Sequence, residues 1–426
     1  MWTRRVFLRL GGVGAVGTAA FAARSAAGVN PIATASAAVA DRTPEEVAQD
    51  EFYWREIQEA FTLDRTLSNL NNGNSCPAPR VVLEACKRYM DMANMLPVEY
   101  NGMLGRNIQT VKRRLAAEFG CEVDELALTR NASESLQIVQ DGLDLKPGDE
   151  VITTDQDYPR MLTTWDQRAR RDRIKITRIQ FPVPTTQDDL YQRFERAITP
   201  QTKVLHFCHI TNLTGQIFPV RKICDTARAK GVKTIVDGAH AFAHFPYNGS
   251  DLGCDFYGTS LHKWLLAPIG TGFLYVRRDN IEGLWGLQPT AASRAKDIRK
   301  FEEIGTHPAA NHNAIAEALT FHEGIGSERK AARLRYLRDR WAKRLSSTGR
   351  FRIHTSMDPA QSCAICTVQV LNVDTNKAVQ QLWDRWRIIA TPINHAEYTG
   401  IRVTPNVYTT IEEIDTFAGA MEKIAG

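Results

Sequence analysis

Residues 254–276 read CDFYGTSLHKWLLAPIGTGFLYV, and residues 233–242 read KTIVDGAHAF. Each opens as a short apolar run that ends abruptly. The first closes on Thr259 and Ser260 and continues through His262 and Lys263; the second closes on Asp237 and continues into small residues and His240. Continuous rather than alternating hydrophobicity marks strands covered on both faces, as in a parallel sheet. Ligands of such sheets collect at the carboxyl ends of the strands. Asp237 and Lys263, 26 positions apart, are therefore expected to face one crevice.

Working outward, five more runs of this kind appear: LALTR (126–130), EVITT (150–154), IKITRI (174–179), KVLHFCHI (203–210) and GFLYV (272–276). Helical stretches separate most of them, which predicts an α/β fold built on a seven-stranded, mainly parallel sheet. Helical character over 311–347, then CAICTVQV, IRVTP and a closing helix from Ile411, predicts a smaller C-terminal α+β domain. The expected organisation is a leader at 1–40, an N-terminal arm at 41–79, a large domain at 80–305 and a small domain at 306–426.

The leader stands apart in composition. Arg4 and Arg5 precede Val6, Phe7 and Leu8, a Gly/Ala-rich stretch follows, and no acidic residue occurs before Asp41. This reads as a twin-arginine export signal with a small-x-small cut after Ala40, implying the twin-arginine translocase as a partner and a periplasmic or secreted location. Loss of Arg4, Arg5, Arg9 and Arg24 would bring the formal charge from +5 to +1, and a nearly neutral body argues against nucleic acid. The eight cysteines form no disulfide ladder by spacing. Cys363 and Cys366 lie on a strand-like run with no partner pair for a metal.

A pyridine-ring aldehyde needs an amine to form an imine and a carboxylate to keep its ring nitrogen protonated. Lys263 and Asp237 suit those two roles, which makes pyridoxal 5'-phosphate (PLP) the expected cofactor and Lys263 its Schiff-base lysine. Trp264, Leu265 and Leu266 supply an apolar wall to bring the amine down from its ordinary pKa of about 10.4. Taken singly, Asp237 reads as a strand-end cap and Lys263 as a surface lysine; their order and context join them.

These residues resemble the class V branch of the fold-type I PLP enzymes, which holds the cysteine desulfurases and isopenicillin N epimerases. The resemblance spans residues 65–420. It is strongest to the epimerase-like subgroup, through LNNGNSCPAP (70–79) and SLHKWLLAPIGTGFLYVR (260–277). It implies that Ala132 and Ser133, in TRNASESL (129–136), bind the cofactor phosphate together with Ser260 and His262, and that Thr306 is lent by a neighbouring subunit, hence a homodimer. It implies a stacking role for Tyr158, contacts of His240 and Asn212 with the phenolic oxygen, a substrate-carboxylate grip by Arg402, and a substrate-side loop at Asn72 and Gly73. Without the resemblance, NASES is a helix N-cap and Asn72-Gly73 a plain turn.

One departure bears on the reaction. Residues 367–426 contain no cysteine, so the desulfurase route, which uses a mobile cysteine before the arginine, is not expected. His395 occupies that segment. The expectation is amine chemistry on a small or peptide-like metabolite, of the aminotransferase type, with the tailoring of a siderophore (pyoverdine) side chain as an exported example. Epimerisation is the first rival, and a catalytically silent periplasmic binding protein is the rival from another class.

Overall fold

The computed structural model describes residues 31–426; the twin-arginine motif lies outside the described residues. Seven strands form the frame: β1 (Leu126–Thr129), β2 (Glu150–Thr154), β3 (Lys175–Ile179), β4 (Thr202–Cys208), β5 (Lys233–Asp237), β6 (Phe256–Ser260) and β7 (Gly272–Val276). Their order across the sheet is β1-β7-β6-β5-β4-β2-β3, and only β7 runs antiparallel to its neighbours. Every run expected from the sequence is a strand. β3 departs from double-sided burial, with Lys175 and Arg178 exposed, because it is an edge strand.

Three glycines let the layers approach. A Cβ on Gly258 would lie 2.9 Å from Leu136 and Ser135, so the strand beneath helix Ala132–Gly142 has no room for a side chain. A Cβ on Gly272 would meet the backbone of Thr259 and Asn131 at 2.6 and 2.7 Å, and one on Gly238 would penetrate the Tyr257 ring. The start of that helix is thereby pressed against the ends of β6 and β7.

The C-terminal unit is a four-stranded antiparallel sheet of β8 (Phe351–Ile353), β9 (Cys366–Val370), β10 (Thr391–Asn394) and β11 (Thr399–Val403), in the order β10-β11-β9-β8. The expected long helix is broken at Gly326 (φ +87°) into Ile315–Ile325 and Ser327–Ser346. Ile315, Leu319 and Leu334 belong to the core of the large unit, whereas Leu337 and Trp341 belong to that of the small one, so the second helix is shared between them. The N-terminal arm crosses to the small unit: Ser68 and Asn69 pair in parallel with Ile388 and Ile389. Residues Pro31–Ala38 form a helix with Ile32 and Val39 buried, and Ser36 Oγ donates to the Gly324 carbonyl at 2.6 Å. All eight cysteines are free thiols. No helix among the described residues is long and apolar enough to cross a membrane.

Gly272→Ala is expected to lower stability by about 1–3 kcal/mol, because backbone on both sides blocks the methyl group. Denaturant unfolding of the purified variant checks this.

Candidate active site

Strands β5 and β6 deliver Asp237 and Lys263 to one cavity of about 290 Å³, as the strand-end argument requires. Asp237 is buried, and its Oδ1 accepts the Ala239 N–H at 2.9 Å. Burial pushes its carboxyl up to about 6, against the opposing pull of that N–H and of the Lys263 charge. Burial likewise brings the Lys263 ammonium down to about 8, while Asp237 pulls the other way. Lys263 Nζ lies 3.0 Å from His240 Nε2. His240, held well below its ordinary value by burial and then by the Lys263 charge, is a neutral acceptor for that ammonium; its Nδ1 is buried without a partner.

A helix start lines the same cavity. Asn131 caps helix Ala132–Gly142 by accepting the Glu134 N–H at 2.9 Å, so the plain N-cap reading is correct. It coexists with an anion-binding geometry: the Ala132 N–H points to Ser260 Oγ at 2.9 Å, and Ser133 and His262 line the same wall. Unpaired N–H groups and the positive dipole end at a helix start suit a phosphate. Tyr158 stands at the rim, 40% exposed. Its turn is fixed by Asp157, whose carboxylate accepts from Thr153, from Thr154 and from the Cys208 N–H. Asn212 also lines the cavity, and its Oδ1 is buried without a hydrogen-bond partner.

Arg402 enters from β11 of the small unit and is 6% exposed. Its NH1 donates to the Asn212 carbonyl at 3.0 Å and its NH2 to Asn71 Oδ1 at 2.9 Å, while Nε has no partner. None of these partners is charged, and burial pulls the guanidinium down to about 10. A desolvated cation with only neutral partners is set to accept an anion. Gly73 lines the cavity beside it, its N–H donating to Thr404 Oγ1 at 2.9 Å.

One residue expected in this chain's own site, Asn72, lies elsewhere, and Thr306 is the residue expected to serve a neighbouring subunit. Asn72 is fully buried outside the cavity, where its side-chain amide donates to the Asn69 and Thr404 carbonyls and its Oδ1 accepts from Tyr408. It builds the loop and leaves no polar atom for a substrate; Asn71, missed in the sequence, contacts Arg402 instead. Thr306 is exposed and does not line this cavity. His395 lies 3.7 Å from Asp155 and stacks on Tyr398, also outside the cavity lining.

The residues fit PLP: N–H and O–H donors for a phosphate, an amine for an aldehyde and a buried carboxylate for a protonated ring nitrogen, all lining one cavity. Comparison with known proteins agrees. A family model described as Aminotransferase class-V matches residues 69–417. Isopenicillin N epimerase of Streptomyces clavuligerus is 30% identical over 395 residues, spanning 88% of this chain and 98% of that protein. The apo cysteine desulfurase of Thermococcus onnurineus NA1 shares the fold with a TM-score of 0.77 at 21% identity, over 87% of this chain and 98% of that one. So does a C-DES mutant with glycine covalently linked to its PLP cofactor, with a TM-score of 0.75 at 22% identity over 85% and 100% of the two chains.

In the apoprotein, acylation of Lys263 is expected to rise with pH around a midpoint near 8, well below the ~10.4 of an ordinary lysine. Asp237→Asn removes the anion that favours the ammonium, so the midpoint moves down. Peptide mass spectrometry after labelling across a pH series measures both.

Proposed function

Because this chain belongs to the class V aminotransferase family and is PLP-dependent, we propose that it moves a proton at the amino-bearing carbon of a carboxylate substrate, in transamination-type chemistry. The observation that carries this reading is a desolvated amine, Lys263, sharing one cavity with a buried arginine, Arg402, whose described partners are all neutral. Bound PLP supplies an electrophilic aldehyde and a ring that stores the electron pair left by a departing proton.

The chain's own groups then divide the work. Arg402 takes the substrate carboxylate as a bidentate pair, which orients the neighbouring carbon. Lys263 removes the proton from that carbon; an amine brought down to about 8 has an appreciable unprotonated fraction at neutral pH and returns the proton readily. Asp237 holds a positive ring nitrogen, and Ala132, Ser133, Ser260 and His262 hold the phosphate. Without a cysteine in residues 367–426, sulfur transfer by a mobile thiol has no donor in that segment.

Epimerisation is the second reading. It is favoured by the full-length similarity to isopenicillin N epimerase and by Tyr158, which places an exposed phenol at the rim as a second proton carrier. A homodimer is supported by the resemblance, which has Thr306 lent to a neighbouring subunit, with Thr306 exposed and outside its own chain's cavity, and by Met95, Leu96 and Val98, all exposed at one helix junction. The paired arginines support export, hence a substrate outside the cytoplasm such as a siderophore side chain.

Amino acids and amine-bearing peptides, screened in deuterated buffer, test the reading. Transamination gives a 2-oxo product and loss of the visible cofactor band, whereas epimerisation gives deuterated substrate of inverted configuration. Lys263→Ala is expected to lose roughly 10²–10⁴-fold in kcat. Arg402→Ala is expected to raise KM roughly ten- to a hundredfold. Turnover by Lys263→Ala at the parent rate, or no response to any amine, overturns the proposal.

A further inference from the structure

We propose that His244 is a positioning residue for this reaction: a single buried imidazole that fixes both neighbours of the Lys263 amine, Trp264 and His240. The inference rests on the reading of Lys263 as the base, but it concerns a residue outside the cavity.

His244 is fully buried and lies parallel to the Trp264 indole, with ring centroids 3.7 Å apart and planes 3° apart. Trp264 directly follows Lys263, so this stack fixes the chain on the carboxyl side of the amine. Both imidazole nitrogens are engaged. Nδ1–H donates to the His240 carbonyl at 2.7 Å, and Nε2 accepts the Ala364 N–H at 3.0 Å. That assignment requires a neutral ring, and burial holds His244 well below the ordinary histidine range. The His240 carbonyl belongs to the residue whose Nε2 faces Lys263 Nζ at 3.0 Å. One ring therefore touches the residue after the lysine and the residue opposite its amine, and ties both to the segment leading into β9 of the small unit.

The turn needs such a clamp. Leu266, three residues beyond Lys263, has φ +66°, and Ala243, beside His244, has φ +59°. Non-glycine residues in that region cost about 1–3 kcal/mol each and persist only where packing dictates them. Trp264 is gripped a second time from behind: the fully buried Lys330 donates through Nζ to the Trp264 carbonyl, and His322 Nδ1 lies 3.5 Å from the same amine. Backbone and ring of Trp264 are thus held by different side chains.

His244→Phe preserves a flat ring against Trp264 but removes both hydrogen bonds. His244→Asn restores a donor toward His240 without the stack. For His244→Phe, kcat is expected to fall roughly ten- to a hundredfold, because a small misplacement of a reacting group costs that much. KM should change by less than about twofold, since Arg402 is untouched. On the apoprotein, the midpoint for acylation of Lys263 should move up from about 8 as water enters behind the amine, and His244→Asn should recover part of both effects. An unchanged kcat overturns the proposal, and so does a kcat that falls only with the folded fraction while the labelling midpoint stays in place. If His244→Phe does not fold, His244→Asn carries the same two outcomes. Failure of the parent reading shows separately, as turnover by Lys263→Ala; the labelling shift is measured without cofactor or substrate.

Discussion

The site is built around an amine kept partly out of water. Lys263 loses hydration in its cavity and recovers only part of that cost from the Asp237 charge, while Arg402 adds a second cation to the same space. Two buried cations facing one buried carboxylate are an unbalanced set, and the uncompensated positive charge is what an anionic cofactor and an anionic substrate would neutralise. The protein therefore tolerates locally unfavourable electrostatics, and the surrounding structure prevents relaxation.

Much of that restraint comes from close backbone contact. Gly238, Gly258 and Gly272 sit where a side chain would collide with a ring, with a helix or with the neighbouring strand, so the ends of β5, β6 and β7 and the start of helix Ala132–Gly142 meet without spacers. The helix start is thereby brought to Ser260, whose Oγ meets the Ala132 N–H, three residues before Lys263. Asp157 does the equivalent work on the other side, tying the ends of β2 and β4 beneath Tyr158.

The surroundings of Arg402 are assembled differently, from segments distant in sequence. Arg402 comes from the small unit, and its partners come from the arm (Asn71) and from the large unit (the Asn212 carbonyl). Three parts of the chain must dock before that guanidinium points into the cavity. Its geometry is accordingly sensitive to how the units pack, whereas Asp237 and the strand that leads to Lys263 are neighbours in one sheet.

Local patterning by itself determined the seven strands, the burial of all but the edge strand Lys175–Ile179, and the convergence of Asp237 and Lys263, because a strand that ends at the ligand edge of a parallel sheet presents its last residues there whatever the loops do. The TRNASESL turn was legible for the same reason, since an N-cap announces unpaired N–H groups. The family resemblance supplied Arg402, Tyr158, His240 and Asn212, and the structure gathers all four around the cavity. Only the tertiary structure decided that Asn72 is consumed by Asn69, Thr404 and Tyr408 while Asn71 meets Arg402, and that His244 and Lys330 hold Trp264, the residue after the lysine. Apart from the local bond of Asn72 to Asn69, those outcomes turn on contacts between residues from 20 to 336 positions apart. Spacing along the chain carries no information about which of two adjacent asparagines turns inward, or which buried ring will lie flat against a particular tryptophan.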